Sequence, residues 1–265
     1  MNKEHKSKCK GHKTKYKAYK EIALFIVIML VSLVCAIGKY ENTSLASEIS
    51  IVEKIMYNII TFTSIGLTLI ILWKYSINIK LSYICYIINT LLSIIQYKIF
   101  YGFKEAIAVH LIELLVSFTI LIMFIIDSIR KNNKQIIKNN ITSTNLITKL
   151  IIILITYTIV MIQYNSKEYE IMSYSTNQKM LVSLYVTLPI AINILMITMS
   201  DMFYIMNFIY EAVLIYALYL QISLDELEIQ GLIYVASLIV FSIFGYIKWL
   251  IKEKHKAGKN KQEKT

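Results

Sequence analysis

Eight long apolar runs, at 21–38, 55–73, 81–100, 106–127, 147–164, 180–199, 202–220 and 229–251, occupy most of this 265-residue chain. Each approaches the roughly 20 apolar residues that a helix needs to cross the hydrocarbon core of a bilayer. A membrane barrel would instead alternate apolar and polar positions over about ten residues. In lipid each backbone amide and carbonyl must be satisfied internally, so uninterrupted runs of this length predict helices. The hydrophobic share of 57% and mean hydropathy of +0.57 argue against an ordinary soluble domain. Eight helices with short connections leave no room for a separate soluble catalytic domain. The expected fold class is an all-α integral membrane protein of about eight transmembrane helices, 21–251, between basic tails at 1–20 and 252–265. The tail residues 1–18 and 255–265 are polar and lysine-rich and are expected to be disordered.

The placement of charge orients these helices. With the first tail inside, the inner segments 1–20, 74–80, 128–149 and 252–265 hold 21 Lys and Arg, against 5 in the outer segments 39–54, 101–105, 165–179 and 221–228. Nine acids fall outside, from Glu41 to Glu228. The positive-inside rule therefore predicts a multi-pass cell-membrane protein with both termini cytoplasmic and an even number of crossings. The net charge of +11 comes from lysine at the two chain ends and in one central loop, and because the apolar runs place the chain in lipid, nucleic acid is not an expected partner. The basic stretch Lys3–Lys20 is long and no small-residue cleavage site clearly follows Cys35, so the first run is expected to stay as a helix.

Polar side chains within spans are costly and point to function. Asn89 and Gln96 lie seven apart in the third span, His110 and Glu113 three apart in the fourth, and Asn207 and Glu211 four apart in the seventh, flanked by Phe203 and Tyr210. Each pair shares a helix face. Asn193 follows Pro189, the chain's single proline, in the sixth span. Intramembrane amides bond neighbouring helices as readily as a solute, whereas Glu113 and Glu211 each need a partner, a proton or water. Tyr83, Tyr86, Tyr97, Phe203, Tyr204 and Tyr210 could stack on a planar ligand, although with 20 tyrosines many belong to interfacial belts.

No HExxH, GxSxG, Walker or CxxC pattern occurs, and Cys9, Cys35 and Cys85 do not form a metal-ligand set. No enzyme activity, metal or cofactor is expected. Residues 84–130 and 206–254 form a weak internal pair: a polar-centred span, a short outer loop, then an apolar span ending in basic residues. Both units cross the membrane in the same sense, so such a repeat is parallel.

The segment 82–125, with Ile88-Asn89 inside a span and Tyr101-Gly102 at its aromatic end, resembles the first helical repeat of the PnuC-type vitamin transporters. The stretch 232–254, with Gly245 and Trp249, resembles that family's last span and its Gly-x-x-x-Trp element. The resemblance covers roughly 55–254. It implies seven helices in a 3+1+3 arrangement, units 55–127 and 180–251 around a linker helix 147–164, with the first span as an extra N-terminal helix. It also implies facilitated diffusion of nicotinamide riboside or a similar vitamin precursor. The family's Trp-xxx-Trp-xxx-Asn triad falls on Phe203, Asn207 and Glu211 here, a departure that leaves the fold implication intact and bears directly on which solute is carried.

These readings converge on a transporter of a small vitamin precursor or nucleoside-like solute, contacted by Asn89, Gln96, Phe203, Asn207, Glu211 and Glu113. The alternatives are a permease subunit needing an ATPase partner, which the basic loop 128–149 could dock, or an intramembrane enzyme using His110, Glu113 or Glu211. Expected partners are the solute and the bilayer, and a homo-oligomer is compatible with the sequence.

Overall fold

Capping and chain-breaking residues divide the apolar runs into helices. The computed structural model describes residues 19–36, 50–129, 141–164, 176–222 and 229–262. The expected tail 1–18, most of the outer segments at 39–49, 165–175 and 223–228, and the middle of the basic loop fall outside them. In chain order the helices are α1 (Tyr19–Ala36), α2 (Ile51–Lys74), α3 (Ile79–Tyr101), α4 (Phe103–Val109), α5 (Leu111–Ile129), α6 (Leu146–Tyr164), α7 (Thr176–Ile197), α8 (Met202–Ile222) and α9 (Ile229–Gln262). Ser50 and Glu53 cap α2 reciprocally: Glu53 N donates to Ser50 Oγ at 3.3 Å and Ser50 N donates to the Glu53 carboxylate at 3.0 Å. Asn78 Oδ1 accepts from Leu81 N at the start of α3.

Three local departures from the expected boundaries have physical causes. The loop expected at 101–105 contracts to Gly102 alone, whose φ of 95° is open to glycine. The run 106–127 is broken at His110, which leaves the helical region with φ −97° and ψ 16°. The C-terminal stretch expected to be disordered is helical to Gln262, since Lys, Glu, Ala and Gln favour helix and proline is absent. The tight break expected at Ser200–Asp201 is present: Met199 takes φ 52°, Ser200 N donates to Leu195 O, and Ser200 Oγ accepts from Met202 N to start α8.

α2 packs between α3 and α9, α8 packs between α7 and α9, α6 lies on α7, and α5 touches α3 and α7. At one end of the bundle side chains bond backbone carbonyls at the end of α7, within α9 and in the connecting segments, joining neighbouring elements. Tyr75 and Tyr83 both donate their hydroxyls to Met196 O, at 2.9 and 3.0 Å. Tyr204 OH accepts from Ser76 N, and Ser76 Oγ donates to Gly245 O. Lys252 Nζ donates to Ser76 O, and Trp249 Nε1 donates to Ile141 O. Asp201, whose side chain is 1% exposed, accepts from Thr144 N and Oγ1 on one oxygen and from Lys149 Nζ on the other, tying the start of α6 to the α7–α8 turn. Lys80 pairs with Asp127 at the same end.

Among the described residues, four helical segments are long and apolar enough to cross a membrane, Tyr19–Ala36, Ile51–Lys74, Ile79–Ile99 and Gly231–His255. Shorter apolar stretches occur at Leu146–Ile159, Thr187–Ile197 and Met202–Ala217. Outward faces are apolar too: Leu115, Phe118 and Ile122 on α5 and Leu150, Leu154 and Tyr157 on α6 are exposed. In water such a surface would associate. The chain thus has the build of a helical membrane-embedded protein.

Candidate functional site: a polar cavity between α1, α2, α3 and α9

Facing stripes of polar residues build the site. On α2, Thr61, Ser64, Ile65 and Thr68 recur at helical spacing, and on α3 Asn89, Ser93 and Gln96 do the same. With Cys35 from α1 and Gly231 and Tyr234 from α9, they line a cavity of about 250 Å³. Gln96 Nε2 donates to Thr61 Oγ1 at 2.8 Å, and Asn89 Nδ2 donates to Thr68 Oγ1 at 3.4 Å.

The orientation of Asn89 follows from its neighbour. Thr68 gives its hydroxyl proton to Ser64 O at 2.9 Å, so its oxygen is left to accept. Asn89 must therefore present its amide N–H, which leaves its own Oδ1 without a partner among the described residues. Ser64 Oγ is likewise buried and unpartnered among the described residues. Each such group costs about 1–3 kcal/mol when buried, and a ligand carrying a donor would remove that cost. No lining residue is charged. A charged solute would meet no countercharge in a low-dielectric setting, so the site's chemistry suits a neutral, hydrogen-bonding one. Asn89 stands ten residues into α3, about 15 Å along it, at the middle of the helix.

Of the residues singled out in the sequence, Asn89 and Gln96 come together here and the rest do not. Phe203 is 2% exposed and packs against Tyr75, with ring centroids 4.2 Å apart. Asn207 donates to Phe203 O of its own helix at 2.7 Å. Glu211, 1% exposed, accepts from Ser242 Oγ at 2.5 Å across the α8–α9 interface, and its Oε2 is unpartnered among the described residues. Glu113 pairs with the His110 ring at the start of α5, and that ring stands edge-on to Tyr97. Tyr83 and Tyr204 belong to the packed carbonyl-capping end. Thr61, Ser64, Thr68 and Ser93 are not legible as site residues in the sequence, because their one-face spacing gains meaning only opposite a partner helix.

Glu211 gives a clear test of this separation. Glu211→Gln keeps the shape and the bond to Ser242, so solute affinity should move less than about two-fold, within the scatter for a remote site. A ten-fold change in a folded Glu211→Gln protein would place this carboxyl in the binding site.

The chain matches no known protein family, no curated protein and no solved structure, so the cavity must be interpreted from its own chemistry.

Proposed function

We propose that the protein is a membrane transporter for a small neutral solute of the vitamin-precursor or nucleoside type, as in the PnuC-type proteins that 82–125 and 232–254 resemble. The observation that carries this reading is the polar cavity, which reaches mid-helix at Asn89, with Asn89 Oδ1 and Ser64 Oγ unpartnered among the described residues. A volume of about 250 Å³ falls just below the roughly 300–1,000 Å³ of pockets for drug-sized ligands, which suits a compact solute. In this reading Asn89 and Gln96 hydrogen-bond the solute, Thr61 and Thr68 hold the two amides in place, and Tyr234 supplies a ring beside it. On the eight-crossing reading, the carbonyl-capping end would face the cytoplasm, and the cavity's Cys35, Gln96 and Gly231 would lie toward the outer side. Movement of one helix group against another would then alternate access.

Flux into proteoliposomes is the test. Purified full-length protein should accelerate entry of at least one member of a panel of neutral vitamin precursors and nucleosides, without nucleotide or a partner ATPase. Rates equal to empty liposomes across the panel would overturn the reading. For the topology, a cysteine introduced at residue 135 should resist membrane-impermeant thiol reagents in intact cells, and labelling there would sink the eight-crossing arrangement.

A further inference from the structure

We infer that a groove at the lysine-rich end of the bundle, formed by α1, the end of α2 and α9, is a binding site for an anionic phospholipid. It is lined by Lys20, Glu21, Leu24, Trp73, Ile77, Phe244 and Lys248 and holds about 250 Å³. This site is separate from the polar cavity and requires only that the protein sits in a membrane.

The groove stands at a membrane boundary. The apolar segment of α1 begins at Tyr19 and that of α2 ends at Lys74, so Lys20 and the close of α2 stand at the ends of two segments long enough to cross a membrane. α9 places Lys248 one turn before Lys252, which reaches Ser76 just past the end of α2. Within the groove, Glu21 is neutralised by Lys74, at 3.4 Å. Lys74 in turn lies over the Trp73 ring, 3.7 Å from its centroid. Lys20 and Lys248 have no carboxylate partner among the described residues, and Lys248 Nζ stands 5.3 Å from the Phe244 centroid. The groove therefore carries two uncompensated ammonium groups.

Four of the seven lining residues, Leu24, Trp73, Ile77 and Phe244, are apolar. A free phosphate would use the lysines and leave that surface idle. A phospholipid uses both: its phosphate meets Lys20 and Lys248 while its chain runs along Leu24, Ile77 and Phe244. The flanking Ile22 and Phe25 of α1 are exposed, which continues the apolar surface down the bundle. Basic recesses between helices at the cytoplasmic side are suited to acidic headgroups.

The test uses the full chain in detergent, with phosphatidylglycerol, phosphatidylcholine and inorganic phosphate as probes and thermal stability as the readout. Phosphatidylglycerol should raise the unfolding temperature, with phosphatidylcholine and phosphate much weaker. Neutralising a lysine near a charged lipid lowers affinity about five-fold, so the double substitution Lys20→Gln with Lys248→Gln should weaken phosphatidylglycerol about 30-fold. The double substitution to Arg should retain binding, because charge is kept. Removing Lys254 and Lys256, further along α9, should have a far smaller effect. Equal losses for the two lysine pairs would reduce the effect to bulk attraction and overturn the site. Equal stabilisation by phosphate alone would overturn the lipid assignment. Affinity unchanged in a folded Lys20→Gln, Lys248→Gln protein would remove both lysines from any site.

Discussion

Asp201→Ala should be among the most damaging single substitutions in the protein, lowering stability by about 3–5 kcal/mol, the usual cost of removing one partner from a buried ion pair. The Asp201 side chain is 1% exposed and holds three donors, Thr144 N, Thr144 Oγ1 and Lys149 Nζ. Its loss leaves the partly buried Lys149 ammonium, 26% exposed, without its carboxylate. It also frees the start of α6 from the α7–α8 turn. Asp201→Asn keeps an acceptor for Thr144 but removes the charge, so it should fall between wild type and alanine. Thermal unfolding of the purified variants measures the order, and an Asp201→Ala protein as stable as wild type would show that this clasp contributes nothing.

The second large effect is expected at Gly245. A Cβ there would stand 2.4 Å from Leu72 O and 2.6 Å from the Tyr204 ring. The first obstacle is backbone of a packed helix, and Tyr204 is held by Ser76 N, so neither yields cheaply. Gly245→Ala should cost about 1–3 kcal/mol, and Gly245→Val more, in line with overpacked cores. Two other glycines serve as controls. At Gly66 the nearest atom is Ser32 Oγ at 3.3 Å, which requires a small adjustment. At Gly258 nothing lies within 4 Å, so alanine there should stabilise the helix by about 0.5–1 kcal/mol. Comparison of the three unfolding temperatures checks the ranking, and a Gly245→Ala protein matching Gly258→Ala would refute the close approach of α9 to α2.

The helices were legible because lipid imposes long apolar runs, and the α7–α8 break was legible because Ser200 and Asp201 interrupt two of them. The split at His110 was not, since it depends on one residue leaving helical geometry within an apolar run. The contraction of 101–105 to Gly102 turns on a single positive φ. The one-face spacing of Asn89 with Gln96 led directly to two cavity residues. The same spacing rule applied to Phe203, Asn207 and Glu211, but a face alone does not tell which neighbour it meets: the triad lies against Tyr75, its own backbone and Ser242. The hydroxyl stripe on α2 was hidden for a different reason. Ser and Thr in helices commonly bond back to their own carbonyls, as Thr63, Thr68 and Thr90 do here, so their presence carries little signal until a partner helix is known. Asp201 looked like an ordinary turn residue, and only tertiary structure shows it buried between a lysine and a backbone amide.

The central claim is that the Asn89–Gln96 cavity binds the transported solute, and Asn89→Leu tests it most directly. A thermal-shift screen of neutral vitamin precursors and nucleosides first identifies a ligand that stabilises the wild-type protein. Asn89 makes one long hydrogen bond, to Thr68 at 3.4 Å, so leucine removes an unpartnered buried oxygen and should leave the unfolding temperature of the ligand-free protein unchanged or raised. Affinity for the identified solute should fall by about five- to 150-fold, the worth of roughly 1–3 kcal/mol for a lost buried hydrogen bond. A well-folded Asn89→Leu protein that binds the solute as tightly as wild type would contradict the account.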